Sequence, residues 1–217
     1  MNIAIAGDLH GSWLDHDLEV LSKLEPDLVL FVGDLGESDL GASKLIKKLP
    51  FPTAVILGNH DRGNDKTGEF LRKQLNLLGQ IHCGWSLLES SKLPVAIVGA
   101  RPCSAGGGYY LSKEVKGVYG QVSLDESVSR IVKAAESAPI DVPLIILAHS
   151  GPEGLGSNAD SPCGRDWKSP SIDWGDRDLA LAIDKLRTKR LPELVVFGHT
   201  HHYLRNSEKK RKTFVID

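Results

Sequence analysis

The sequence predicts an α/β fold, and three observations carry that reading. Six short runs are nearly continuous in apolar and β-branched residues, as strands buried on both faces are. Helical patterns lie between them, so strand and helix alternate along the chain. Five of the six runs end in side chains able to hold a metal, and open α/β sheets bind ligands at the carboxyl ends of their strands.

In chain order, NIAIAG (Asn2–Gly7) is the first strand, and a helix is expected over about Asp15–Leu24. LVLFVG (Leu28–Gly33) follows, with a helix over Ala42–Leu49. TAVILG (Thr53–Gly58) precedes a helix over Lys66–Leu78, and VAIVGA (Val95–Ala100) precedes one over Asp125–Ser137. PLIILA (Pro143–Ala148) and ELVVFG (Glu193–Gly198) frame a last helix over Asp176–Thr188. There Leu179, Ala182, Ile183 and Leu186 recur at helical spacing. Asp125 and Asp176 stand where N-caps belong. Two stretches break the rhythm and read as long loops, at about 101–124 and 151–175. Loops of that length in a compact domain tend to be functional or disordered. Tyr109, Tyr110 and Trp167 are their candidates for lining a substrate cleft. The basic run Arg205–Lys212 (RNSEKKRK) reads as a solvated hairpin turn. No repeat or linker divides the chain, so residues 1–217 are expected to form one domain.

Composition narrows the function classes. The 217 residues are 41% hydrophobic and 25% charged, with a net charge of -2. A nucleic-acid footprint needs a basic surplus that this balance lacks. No apolar run has membrane-spanning length, and Met1 leads straight into a strand. The three cysteines, Cys83, Cys103 and Cys163, are scattered, with no C-x-x-C. A disulfide framework is not expected, and a reducing compartment such as the cytoplasm is.

The strand ends carry the chemistry. They read Gly7-Asp8-Leu9-His10, then Gly33-Asp34 with Glu37 after it, then Gly58-Asn59-His60-Asp61, then Ala148-His149, and last Gly198-His199-Thr200-His201-His202. Carboxylate, amide and imidazole donors suit Mn, Fe or Zn. Each fragment alone says little: Gly-Asp is a turn, and a lone buried histidine is usually structural. Their shared placement at successive strand ends is what points to a shared site, and the donor set fits two metal ions, which an Asp can bridge through its two oxygens. His202, next to the last ligand pair in an extended segment, is expected on the opposite side. His16 and His82 are expected to be exposed. The glycines are expected to let the backbone turn and approach closely.

These motifs resemble those of the calcineurin-like metallophosphoesterases: D-x-H, G-D-x-x-D, G-N-H-[DE], a later His, and G-H-x-H. The further pattern HSGPEGLGS, CGRDW, DWGDRDL and VVFGHTHH is similar to a cyanobacterial and plastid branch of that superfamily. The resemblance implies a four-layer fold, two mixed β-sheets packed as a sandwich and flanked by helices. It implies one ion on Asp8, His10, Asp34 and His201, and a second on Asp34, Asn59, His149 and His199, with Asp34 bridging. His60 would lie beside the ions without binding one, and Asp61 would orient it. Two departures stand out. Glu37 replaces the usual Asp, leaving it either a support for the ligands or a structural residue. Family members also continue past G-H-x-H with two or more strands, whereas here one plausible strand, Thr213–Asp217, follows. A shortened second sheet with an exposed edge is therefore expected.

The implied activity is hydrolysis of a phosphate ester by a metal-bridging hydroxide, with ions about 3.5–4 Å apart and His60 as general acid. Arg62 and Arg165 are candidate phosphate clamps. The substrate is expected to be a phosphorylated small molecule or phosphoprotein. A phosphomonoesterase, including a protein phosphatase, is slightly favoured over a phosphodiesterase acting on cyclic nucleotides or similar diesters. A non-catalytic interaction protein on the same fold is a further alternative, but retention of every ligand and of His60 speaks against it.

Overall fold

The computed structural model describes residues 1–88, 93–165 and 167–201. His202, the basic run Arg205–Lys212 and the strand expected at Thr213–Asp217 lie outside the described residues. The strands are β1 (Ile3–Ala6), β2 (Leu28–Phe31), β3 (Thr53–Val55), β4 (Leu87–Leu88), β5 (Ala96–Gly99), β6 (Leu144–Leu147) and β7 (Leu194–Val196). The helices are α1 (Asp15–Leu24), α2 (Gly41–Ile46), α3 (Glu69–Leu78), α4 (Lys113–Tyr119), α5 (Leu124–Ser137) and α6 (Arg177–Leu186).

The strands form two sheets, ordered β1-β2-β3 and β4-β5-β6-β7. Ile3 pairs with Leu28 and Val29 with Thr53, both in parallel. In the second sheet β5, β6 and β7 run parallel, and only β4 is antiparallel, to β5. One sheet is therefore mixed; among the described residues the other is purely parallel, not mixed as expected. The parallel pairs require crossovers, and helices supply them.

Burial on both faces explains the unbroken apolar runs. Leu28, Leu30, Ala54, Ile56, Ile97, Ile145 and Leu147 form one core cluster. Their alternates Val29, Phe31, Val55, Leu57, Val98 and Ile146 join the helices in another. The first cluster draws on both sheets and fills the sandwich interior, and the second lies against the helical faces. Helices α5 and α6 pack on each other, as do α3 and α4.

Four details depart from the sequence expectations. The stretch 101–124 is not all loop, because it contains α4, capped by Ser112, whose hydroxyl accepts from the Val115 amide. Gly117 masks this helix in the sequence; it is there because a Cβ would stand 2.2 Å from the Thr67 carbonyl oxygen. The cap of α5 is Ser123, not Asp125, which sits in the first turn. Asp176 does hold the N-cap position of α6, yet its side chain makes no cap hydrogen bond. His82, expected at the surface, is half-buried against Gly84 and Pro102.

Ile146 lies in β6 with no exposed surface. Ile146→Ala should cost about 2–5 kcal/mol, read as a lower urea midpoint with an unchanged slope.

Candidate metal centre

The chain leaves each strand through a tight turn, and these turns interlock. The amides of Asp8, His10 and Gly11 donate to the carbonyls of Gly33, Asp34 and Leu35, each at 2.9 Å. The turn after β1 is thus laid along the turn after β2. Left-handed backbone appears at Asp8 (φ 50°), His10 (48°), Asp34 (49°) and His199 (73°). The ligand-type residues themselves take up the turn, which Asp and His tolerate better than most side chains. Gly11 (φ 78°) and Gly33 (97°) also turn the chain, as expected, while Gly7 and Gly58 serve close approach. A Cβ on Gly58 would lie 2.2 Å from Asp34 Oδ1, and one on Gly7 would lie 2.1 Å from Val32 Cγ2.

The turns bring the candidate ligands into adjoining groups. Asp8, His10 and His201 offer donor atoms within 4.8 Å of one another, as do Asp34, His149 and His199. Asn59 joins the second group through Oδ1, 3.1 Å from His149 Nε2. A third group, His10, Glu37 and His60, abuts the first. The ring centroids of His10 and His201 are 5.2 Å apart, and those of His149 and His199 are 4.9 Å apart.

Hydrogen bonds on His149 and His10 leave the other nitrogen of each ring facing inward. His149 Nδ1 is 2.7 Å from the Val32 carbonyl oxygen and donates to it, so Nε2 points at Asp34 Oδ2, 3.3 Å away. His10 Nδ1 is 2.5 Å from Glu37 Oε1. Among the described residues, the Nε2 atoms of His10, His199 and His201 are buried without a hydrogen-bond partner. His201 Nε2 stands 3.0 Å from Asp8 Oδ1, a carboxylate of its own ligand group. Buried polar atoms are normally satisfied. Three imidazole nitrogens left bare beside the buried Asp34 and the part-buried Asp8 carboxylates are the donor set of a cation site, and carboxylate or carbonyl partners on the other ring nitrogen are usual for metal-binding histidines.

Electrostatics agree. Burial pushes the Asp34 carboxyl up, but His149, the His60 amide and the His60 ring together hold it well below the usual carboxylate range. Burial alone would lower His149, yet Asp34 and Asp8 outweigh it and raise the ring to about 9. Burial, reinforced by the His149 charge, pushes His199 down to about 4, so it is a neutral ring. The cluster free of metal carries a proton on His149 where an ion would supply the positive charge.

The neighbours of these groups are arranged differently from expectation. Asp61 does not orient His60. It is buried, and its Oδ1 accepts from the amides of Leu35 and Gly36 while Oδ2 accepts from that of Gly58. Desolvation raises it to about 6 despite those bonds. Asp61 therefore ties the turn after β2 to the turn after β3. The His60 ring is held instead by Glu37, whose Oε2 is 2.8 Å from Nδ1. One carboxylate thus grips two histidines, His10 through Oε1 and His60 through Oε2. The signal for this was the spacing of Glu37, three residues after Asp34. The candidate clamps are engaged within the fold. Arg62 Nε lies 3.5 Å from Glu114 Oε2. Arg165 stacks over the Trp174 ring at 5.0 Å and donates to the Pro170 carbonyl.

Asp61→Ala would strand three buried amides, so a loss of more than about 2 kcal/mol is expected by urea denaturation, with Asp61→Asn losing less. Metal uptake must displace the His149 proton, whose folded-state value near 9 lies above the usual 6.5. Affinity of chelator-treated protein for Mn²⁺ should therefore rise between pH 6.5 and 9, with proton release on binding. In metal-free protein the stability from protonated His149 is full below about pH 6.5 and fades through about 9. A pH-independent affinity in calorimetry would contradict this.

Comparison with known proteins agrees with this geometry. No curated protein sequence matches the chain. Among solved structures, TT1561 of Thermus thermophilus is similar at TM-score 0.58 and 14% identity, over 90% of this chain and 80% of that one. Phosphopantetheinyl hydrolase (PptH) from Mycobacterium tuberculosis is similar at TM-score 0.55 and 17% identity, over 92% of this chain and 83% of that one. These likenesses establish a shared metallophosphoesterase fold. The family model for calcineurin-like phosphoesterase matches residues 1–203, a span that takes in every ligand group described above. The chain belongs to the calcineurin-like phosphoesterase family.

Proposed function

We propose that the chain is a dinuclear metal-dependent phosphoesterase acting on phosphomonoesters, of a small molecule or a phosphoprotein. The observation that carries the reading is the pair of adjoining ligand groups with three bare imidazole nitrogens. Asp8, His10 and His201 would hold one ion, Asn59, His149 and His199 the other, with Asp34 shared. Mn, Fe or Zn suits this donor set; when bound, such ions supply Lewis acidity to the phosphoryl oxygens and make water a nucleophile near neutral pH.

The chain's own residues then do the following. Asp8, Asp34 and the imidazoles fix the charge of the site before substrate arrives, so little reorganisation accompanies reaction. Water attacks phosphorus in line with the ester oxygen and sheds one proton to solvent, the bond from phosphorus to the leaving oxygen breaks, and that oxygen needs a proton. His60 supplies it. Its Nδ1 is committed to Glu37, so Nε2 carries the transferable proton on a ring 42% exposed and 4.0 Å from Asp34 Oδ2. Glu37 stabilises the imidazolium and fixes its orientation. Hydrogen bonds from His60 and His10 hold the Glu37 carboxyl below its ordinary value, so it stays anionic.

No helix among the described residues is long and apolar enough to cross a membrane. The cytoplasm or plastid stroma is the proposed compartment. The HSGPEGLGS and VVFGHTHH segments support a place in the cyanobacterial and plastid branch.

His60→Ala should leave two ions bound but lower kcat by about 10²–10⁴ on an alkyl phosphate, with a smaller loss on a nitrophenyl phosphate whose leaving group needs no proton. Equal losses on both would remove His60 as the acid. A panel of monoesters and diesters with Mn, Zn, Mg and Fe checks the substrate class; faster turnover of diesters would replace the monoester reading by the diesterase one.

A further inference from the structure

Arg101, Asp176 and Asp178 are all but sealed from solvent, each at 1% exposure or less. Arg101 Nη2 donates to Asp176 Oδ1 at 2.6 Å, and its Nε donates to Asp178 Oδ2 at 3.1 Å. Burying one cation and two carboxylates is a poor way to gain stability, since apolar residues of the same volume often do as well. What such a network offers is fixed geometry. Asp176 also gives up the capping bond its position at the start of α6 would allow, and directs the same carboxylate elsewhere.

The network leads to the second ligand group by three routes. Asp176 Oδ1 also accepts from the Ser104 hydroxyl at 2.6 Å, and Ser104 forms a bridge with Gly58, the residue before Asn59. The Asp176 amide donates to the Gly151 carbonyl at 2.7 Å, two residues after His149. Ala105 follows Ser104, and its main chain stands against the His199 ring. The Ala105 carbonyl is itself held by Trp174 Nε1 at 2.8 Å. Ser104 is completely buried and its oxygen takes the Gly106 amide as well, so the segment has little freedom to shift.

We propose that Arg101, Asp176 and Ser104 form a positioning unit for the Asn59, His149 and His199 side of the metal centre, acting through the Ser104–Ala105 segment. The inference rests on the dinuclear reading above and adds residues that no ligand motif contains. Positioning partners of metal ligands commonly change affinity by about 10–100-fold when removed. The effect here should fall on one ion only.

Ser104→Ala breaks the link and leaves the Arg101 ion pairs in place. Trp174→Phe keeps a ring beside Gly106 and Gly107 and deletes the donor to Ala105. Ser43→Ala is the matched control: Ser43 is equally buried but bonds Gln74 between α2 and α3. Full-length proteins are titrated with Mn²⁺ by calorimetry and examined by electron paramagnetic resonance. In both test variants one ion should bind as in the parent chain and the other at least about 10-fold more weakly, with the exchange-coupled pair signal replaced by that of single Mn²⁺. Ser43→Ala should keep both ions. If Ser104→Ala does not fold, Trp174→Phe decides. Two ions at parent affinity in the test variants would overturn the inference, as would an equal loss in Ser43→Ala. A parent chain that takes up fewer than two Mn²⁺ would overturn the dinuclear reading and this inference together.

Discussion

The Asp34 carboxylate is the constraint on which the rest of the site depends. It is 2% exposed and lies on left-handed backbone just past β2. A buried carboxylate needs compensating charge and hydrogen bonds, or it is strongly destabilising. Its Oδ1 takes the His60 amide and its Oδ2 faces His149. Gly58 has no side chain because Asp34 occupies the space one would need. Asp61 gathers the amides of Leu35 and Gly36, which follow Asp34, and that of Gly58. The turns after β2 and β3, and the histidine after β6, are thus built around one negative charge, which makes that spot a natural seat for cations.

The sheets explain why such turns persist. Left-handed backbone at non-glycine residues costs about 1–3 kcal/mol each, and four ligand-type residues adopt it. Each follows a strand whose side chains are packed on the sandwich interior, on the helices, or on both. The cores fix where the strands end, and the hydrogen bonds from Asp8, His10 and Gly11 to the neighbouring turn fix how the ends meet. Stability gathered in the strands holds the site in a conformation its own residues would not choose. Glu37 is the counterpart on the open side. It is more than half exposed, yet by gripping both His10 and His60 it couples a ligand ring to the ring that would protonate the leaving group.

The legible parts of the sequence were those written as local pattern. The apolar runs locate six of the seven strands among the described residues, because burial on both faces leaves a continuous signature. The ligand types were legible because each follows a strand directly. What stayed hidden depends on contacts far apart in the chain. Asp61 sits next to His60, yet its Oδ1 serves amides 25 and 26 residues away, and the His60 partner, Glu37, lies 23 residues upstream. Strand β4 has two residues and no period to detect. Helix α4 carries a glycine whose reason is a carbonyl on another segment. The network of Arg101, Asp176 and Ser104 spans 75 residues and follows no metal-ligand spacing. The partners that engage the candidate clamps Arg62 and Arg165, Glu114 and Trp174, follow no local spacing in the sequence.

The proposed function requires two ions in the adjoining groups around Asp34. Anomalous diffraction from crystals of the Mn²⁺-loaded protein would locate them. Two peaks are predicted, one among Asp8, His10 and His201 and one among Asn59, His149 and His199, with Asp34 between them. A single peak, or peaks on other residues, would contradict a dinuclear centre at these strand ends.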